Sequence, residues 1–210
     1  MSESDLNGGV LEQAARGHRS MLFSQGLRLA CKLLSVLLLA RLVSPADHGL
    51  FAMASSVTLL LALFRDAGLG AAAVQAPSLD ELQLNTLFWF HLAIGAALAL
   101  ATLGAAPLAA QFYESPAVSP LLITMSAAFL LIGAGGFARS QLERSARFAE
   151  VSRIEGAAAV AGTFAMIAAA VAGARAYSFA AYLLVSEAIA TGLAWRAFDW
   201  RPHHAPRWSS

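Results

Sequence analysis

Apolar residues run through this chain in long stretches, and the breaks between them are short and polar. A helix needs roughly 20 mostly apolar residues to cross the hydrocarbon core of a bilayer. Six stretches reach that length, near residues 20–43, 49–74, 83–110, 117–138, 156–174 and 176–197. The fourth and fifth are free of charge from Ala117 to Ala138 and from Gly156 to Ala174. The pattern predicts an all-α integral membrane protein with about six transmembrane helices. Residues 1–19 form an N-terminal segment, 20–197 the transmembrane lobe, and 198–210 a basic tail or linker.

The breaks carry helix-start chemistry. Ser44-Pro45-Ala46-Asp47 offers a capping hydroxyl, a proline at the first helical position and an acid in the first turn. Ser115-Pro116 repeats the cap and proline, and Ser78-Leu79-Asp80-Glu81 reads as a capping box. Connections this short make successive helices antiparallel. The longer stretch between the fourth and fifth runs, residues 139–153, reads either as a helical extension lying on the membrane surface or as a solvated charged turn. Small residues abound in the spans, among them Gly95, Gly104, Gly133, Gly135, Gly136, Gly156 and Gly162, and let helix backbones approach where lipid gives no drive for association.

Composition removes several alternatives. The 210 residues are 58% hydrophobic and 13% charged, whereas soluble domains are about a quarter charged. A net charge of +1 provides no field for nucleic acid. One cysteine, Cys31, excludes an internal disulfide and a cysteine-based metal cluster, and reads as a small packed side chain. His203-His204 lacks the other ligands of a metal site. The first charges are Glu3 and Asp5, and Arg28 and Lys32 interrupt the first apolar run, so it reads as a retained membrane helix rather than a secretory signal.

Cations set the expected orientation. With six spans, one side holds Arg16, Arg19, Arg139, Arg144, Arg147, Arg153, Arg196, Arg201 and Arg207, and the other only Arg41 and Arg175. The positive-inside rule then places both termini in the cytoplasm. Trp195, Trp200 and Trp208, gathered at one end, read as interfacial anchors.

Charges inside the spans are where function is expected, because an ionised group at the bilayer centre costs about 2.5–3.5 kcal/mol even on insertion scales. Arg28 and Lys32 share one helical face at i, i+4, and Ser24 and Ser35 extend its polar stripe. Such a stripe faces a hydrated cavity or a counter-ion, or else snorkels to the interface. Arg65 lies on a face with Thr58 and Ala62; Asp66 beside it points about 100° away and does not simply pair with it. An ordinary helix end is the plainer reading of both. Glu187 is the acid deep in the last span, with Thr191 on its face. It reads as a structural ion pair, a counter-ion to Arg28 or Lys32, or a protonatable coupling site. His91 reads as a satisfied interior histidine. No phosphate-binding glycine loop, HExxH string or nucleophile elbow occurs, so no enzymatic activity is expected.

One stretch resembles a known family. Ala40-Arg41-Leu42-Val43-Ser44-Pro45-Ala46-Asp47-His48-Gly49, followed by Phe64-Arg65-Asp66-Ala67-Gly68-Leu69, is similar to the ends of the first and second helices of Wzx-type oligosaccharide flippases. These belong to the polysaccharide-exporter branch of the multidrug/oligosaccharidyl-lipid/polysaccharide superfamily. Residues 83–89 and the Arg144-x-x-Arg147-Phe148 stretch extend the likeness. The resemblance implies translocation of a polyprenyl-diphosphate-linked oligosaccharide across the bacterial inner membrane, without a cofactor, by alternating access between two lobes. It implies a diphosphate-attracting role for Arg28, Lys32 and Arg65. It also implies that this lobe works with a second lobe or another copy. A cation-coupled drug exporter of the same superfamily, with Glu187 or Asp66 as the coupling group, and a non-transporting scaffold for polysaccharide assembly are the competing expectations.

Overall fold

The computed structural model describes residues 41–69 and 80–202, together with Gly26, Leu29 and Leu33, and side chains of the first of these stretches as far as Leu63. Its helices are α1 (Pro45–Leu69), α2 (Glu81–Phe112), α3 (Val118–Arg144), α4 (Phe148–Val171) and α5 (Tyr177–Ala197). No strand occurs among the described residues. All five helices are long and apolar enough to cross a membrane. They correspond to the second to sixth expected spans, and the all-α membrane fold stands as read from the sequence. The first span lies almost wholly outside the described residues.

Helix starts follow the local chemistry with two corrections. Ser44 caps α1 as expected: its Oγ accepts from the Asp47 N–H at 3.2 Å and donates to Asp47 Oδ2 at 2.6 Å. The capping box of α2 is shifted two residues from the expected Ser78/Glu81 pair. Asp80 Oδ1 accepts from the Gln83 N–H at 2.7 Å, and Gln83 Oε1 accepts from the Asp80 N–H at 3.1 Å. A carboxylate serves as well as a hydroxyl here, and its charge suits the positive end of the helix dipole. Ser115 does not cap α3. The helix starts at Val118 from an Ala117 N-cap, with no side-chain cap bond.

The stretch 139–153 forms neither a surface helix nor a long turn. α3 continues to Arg144 and α4 begins at Phe148, so the charged residues ride on the ends of an antiparallel hairpin. No helix breaker stands between Ala138 and Arg144, and the ladder simply continues. Each described reversal closes with a Schellman motif. Glu114 (φ 50°), Ala146 (φ 54°) and Gly173 (φ 80°) occupy the left-handed position. The N–H groups of Ser115, Arg147 and Ala174 reach back to the carbonyls of Ala110, Leu142 and Ala169. Glycine marks one of these three turns.

α3 is the axis of the bundle, with α2 and α5 packed along it, α4 against α5, and α1 across α2 and α3. One core cluster joins Val118, Leu121 and Leu122 of α3 to Ala106 and Ala109 of α2, Ala54 of α1 and Ala180 of α5. At the opposite end Ala138 and Leu142 meet Val151, Ile154 and Ala158 of α4 and Ala190 and Ala194 of α5. Alanine recurs in both clusters because lipid is as apolar as leucine, and close backbone approach then supplies the association energy. Large apolar side chains point outward instead, among them Leu59, Leu63, Leu100, Leu108, Phe112 and Phe164.

Two glycine contacts fix the depth of packing. A Cβ on Gly95 would lie 2.9 Å from the Gly133 Cα, and one on Gly133 would lie 2.9 Å from the His91 carbonyl oxygen. α5 is held to α3 by hydrogen bonds as well. Thr191 Oγ1 donates to the Leu131 carbonyl at 2.9 Å, and one turn later Trp195 Nε1 donates to Ala134 at 2.8 Å. Trp195, expected as an interfacial anchor, also clamps α5 to α3. Its ring lies 5.6 Å from Phe88 of α2 and 6.2 Å from Phe137 of α3, with Trp200 5.3 Å from Phe137.

Candidate functional site

The glycine crossing leaves a cavity of about 450 Å³ toward the α3 C-terminal end. His91, Ile94, Gly95 and Leu98 of α2 form one wall. Phe129, Ile132, Gly133, Gly136, Arg139, Ser140 and Glu143 of α3 form the floor, and Glu155 of α4 and Glu187 of α5 close it. Gly136 puts no side chain into this space, and the end of α3 brings charge to it.

At its centre Arg139 Nη2 donates to Glu187 Oε2 at 3.0 Å, and the two side chains are 20% and 21% exposed. Arg139 lies five residues inside the end of α3, roughly 7.5 Å deep at 1.5 Å per residue. Glu187 stands midway along α5, roughly 15 Å from either end. Breaking a partly buried pair of this kind leaves the surviving charge poorly matched. His91 is 6% exposed and donates from Nδ1 to the Leu87 carbonyl at 2.9 Å. It is an interior histidine satisfied by its own helix, with its ring centre 6.0 Å from that of Phe137. Among the described residues no group of three or more His, Cys, Asp or Glu side chains is placed to hold a metal ion.

Of the residues singled out from the sequence, the structure places Glu187 on the cavity with Arg139 as its ion partner. Arg28 and Lys32 lie outside the described residues, as do the side chains of Arg65 and Asp66. Thr58 and Ala62 line a smaller apolar space of about 140 Å³ that shares Phe129 and Ile132 with the main cavity. That face of α1 is turned toward α3.

Sequence reasoning did not single out Arg139, Glu143 or Glu155. The linker expected over residues 139–153 took in Arg139, but α3 continues through Arg144 and the turn begins only at Ser145. The available signal was the i, i+4 spacing of Arg139 and Glu143 on an unbroken helical stretch. Together the described walls present three carboxylates and one guanidinium, in a cavity cut into an apolar bundle.

Fold and cavity define a polytopic α-helical membrane protein with a charge-bearing cavity between its helices. The chain belongs to the polysaccharide biosynthesis protein family, whose family model matches residues 38–210. It is 26% identical over 130 residues to the lipopolysaccharide biosynthesis protein WzxC of Escherichia coli K12, covering 62% of this chain and 26% of that protein. It is 33% identical over 117 residues to the succinoglycan biosynthesis transport protein ExoT of Rhizobium meliloti, covering 56% of this chain and 24% of ExoT. The teichuronic acid biosynthesis protein TuaB of Bacillus subtilis is 29% identical over 98 residues, covering 47% of this chain and 20% of TuaB. The matched region thus spans about a quarter of each relative or less. No solved structure matches.

Proposed function

We propose that this chain is one lobe of a flippase that moves a polyprenyl-diphosphate-linked oligosaccharide across the bacterial inner membrane for cell-surface polysaccharide synthesis. It binds and reorients its substrate and catalyses no covalent step. The observation that carries the reading is the charged cavity between helices apolar enough to span a membrane, in a chain of this family. Apolar packing alone gives no reason to hold an Arg–Glu pair there, since an apolar pair of similar volume is commonly as stable. A translocated diphosphate needs an aqueous, polar path, and an ion-lined cavity supplies one.

The described walls carry more acid than base, so attraction of the diphosphate falls to Arg28, Lys32 and Arg65, with the Thr58–Ala62 face of α1 turned toward the cavity wall. Both termini are cytoplasmic in this reading, and a second lobe or another copy closes the cavity from the opposite side. The test is functional replacement. The chain is substituted for the matching region of the E. coli relative in a strain lacking that relative, and surface polysaccharide is measured. Restored export supports the reading, whereas a well-expressed chimera that exports nothing and binds no lipid-linked oligosaccharide in nanodiscs refutes it.

A further inference from the structure

The geometry points to Arg139 as a phosphate-recognising residue of this lobe, with Glu187 as the resting counter-ion that the substrate phosphate displaces; this rests on the flippase reading above. Three observations lead here. The contact is one-sided: among the described residues, Arg139 meets Glu187 through Nη2 alone. A guanidinium carries five N–H donors in a planar fork suited to two phosphate oxygens, so donors remain for a second anion. The pair also opens onto the cavity rather than into a core, each side chain being about one-fifth exposed. Finally, Arg139 is the sole cation among the described residues lining that cavity.

The physical logic is exchange. An arginine held ready for phosphate at membrane depth needs a resident anion while the cavity is empty. Glu187 supplies one from a different helix, so no new desolvation of the guanidinium is required when phosphate replaces carboxylate. Glu143 lines the same cavity without an ion pair to Arg139 among the described residues. It acts on a bound anion through the field rather than by exchange. Exchange therefore predicts an ordering among the carboxylates: neutralising Glu187 helps phosphate most.

The test uses the full 210-residue chain in phosphatidylcholine nanodiscs, with binding measured for farnesyl diphosphate, inorganic pyrophosphate and uncharged farnesol. Arg139→Ala should weaken farnesyl diphosphate binding about tenfold or more, and Arg139→Lys should retain part of it, because lysine keeps the charge but loses the fork. Glu187→Gln should tighten it roughly threefold to tenfold, while Glu143→Gln changes it by less than about twofold. Farnesol should bind alike to every variant. Pyrophosphate following the same ordering would mark a site for the phosphates alone, and a flat pyrophosphate response one that needs the prenyl chain; either supports the assignment. If Arg139 only braces the bundle, Glu187→Gln will lower the melting temperature and leave affinity unchanged, which overturns it. Equal tightening by Glu187→Gln and Glu143→Gln also overturns exchange in favour of a general field. Absence of farnesyl diphosphate binding by the unaltered chain would refute the flippase reading itself, whereas binding that Arg139→Ala leaves intact refutes only the role of Arg139.

Discussion

Replacing Gly95 with alanine probes how closely α2 and α3 must approach. The added Cβ would sit 2.6 Å from the Phe129 carbonyl oxygen and 2.9 Å from the Gly133 Cα, whereas ordinary contact begins near 3.4 Å. The shortfalls, about 0.8 Å and about 0.5 Å, are both against backbone, so no side chain can rotate aside. The helices must separate, and a gap of about 0.5–1 Å already forfeits a quarter to a half of each dispersion contact. Overpacking of this kind costs about 1–3 kcal/mol, offset by about 0.5–1 kcal/mol for exchanging glycine for alanine in a helix. Gly95→Ala should therefore destabilise the protein by about 1 kcal/mol, and by at most about 2.5 kcal/mol. Gly104→Ala, the same change in the same helix with nothing within 4 Å, serves as the control and should be neutral or slightly stabilising. The Gly95→Ala/Gly133→Ala double variant should cost less than the sum of its parts, since both changes force apart one crossing. Reversible unfolding of the detergent-solubilised chain by added sodium dodecyl sulfate measures each value. Equal stability of the Gly95 and Gly104 variants would refute the close approach.

Four further outcomes are expected. Reporter fusions after Arg153 and after Arg175 should report opposite sides of the membrane, as the distribution of arginines requires. Cysteines placed at Arg28, Lys32 and Arg65 in a Cys31-free background should react with a water-soluble maleimide, and uniform unreactivity at normal expression would contradict a hydrated cationic cavity. Trp195→Phe removes the indole bond to Ala134 while keeping most of the aromatic contact, and should cost about 0.6–1.7 kcal/mol by the same unfolding assay. Ala146→Gly should stabilise the chain by up to about 1 kcal/mol, because the left-handed position of the α3–α4 turn is occupied by a residue with a Cβ at φ 54°.

Much of the architecture was legible in the order of residues alone. Lipid demands that every backbone polar group be satisfied within its own segment, so a run of roughly 20 apolar residues already implies a helix of known length. Hence the second to sixth spans appear where hydropathy puts them, and Ser44 caps α1 because a cap is a contact within four residues. Local ambiguity accounts for the misplaced starts at Ser78 and Ser115, where neighbouring groups compete for one role. The family, too, was legible from the strings around Ser44 and Arg65, since those are contiguous.

Tertiary structure alone decided the partners. Arg139 and Glu187 are 48 positions apart, and Thr191 and Trp195 reach carbonyls 60 and 61 positions away. Such pairings depend on how each helix is rotated about its axis and how closely neighbours approach. Those quantities are set jointly by all the side chains at an interface, here by glycines at 95 and 133 that no periodicity distinguishes from Gly104. A span can be read from one segment because its solvent is uniform. The cavity cannot, because it exists only where four helices, each unremarkable alone, leave the same space unfilled.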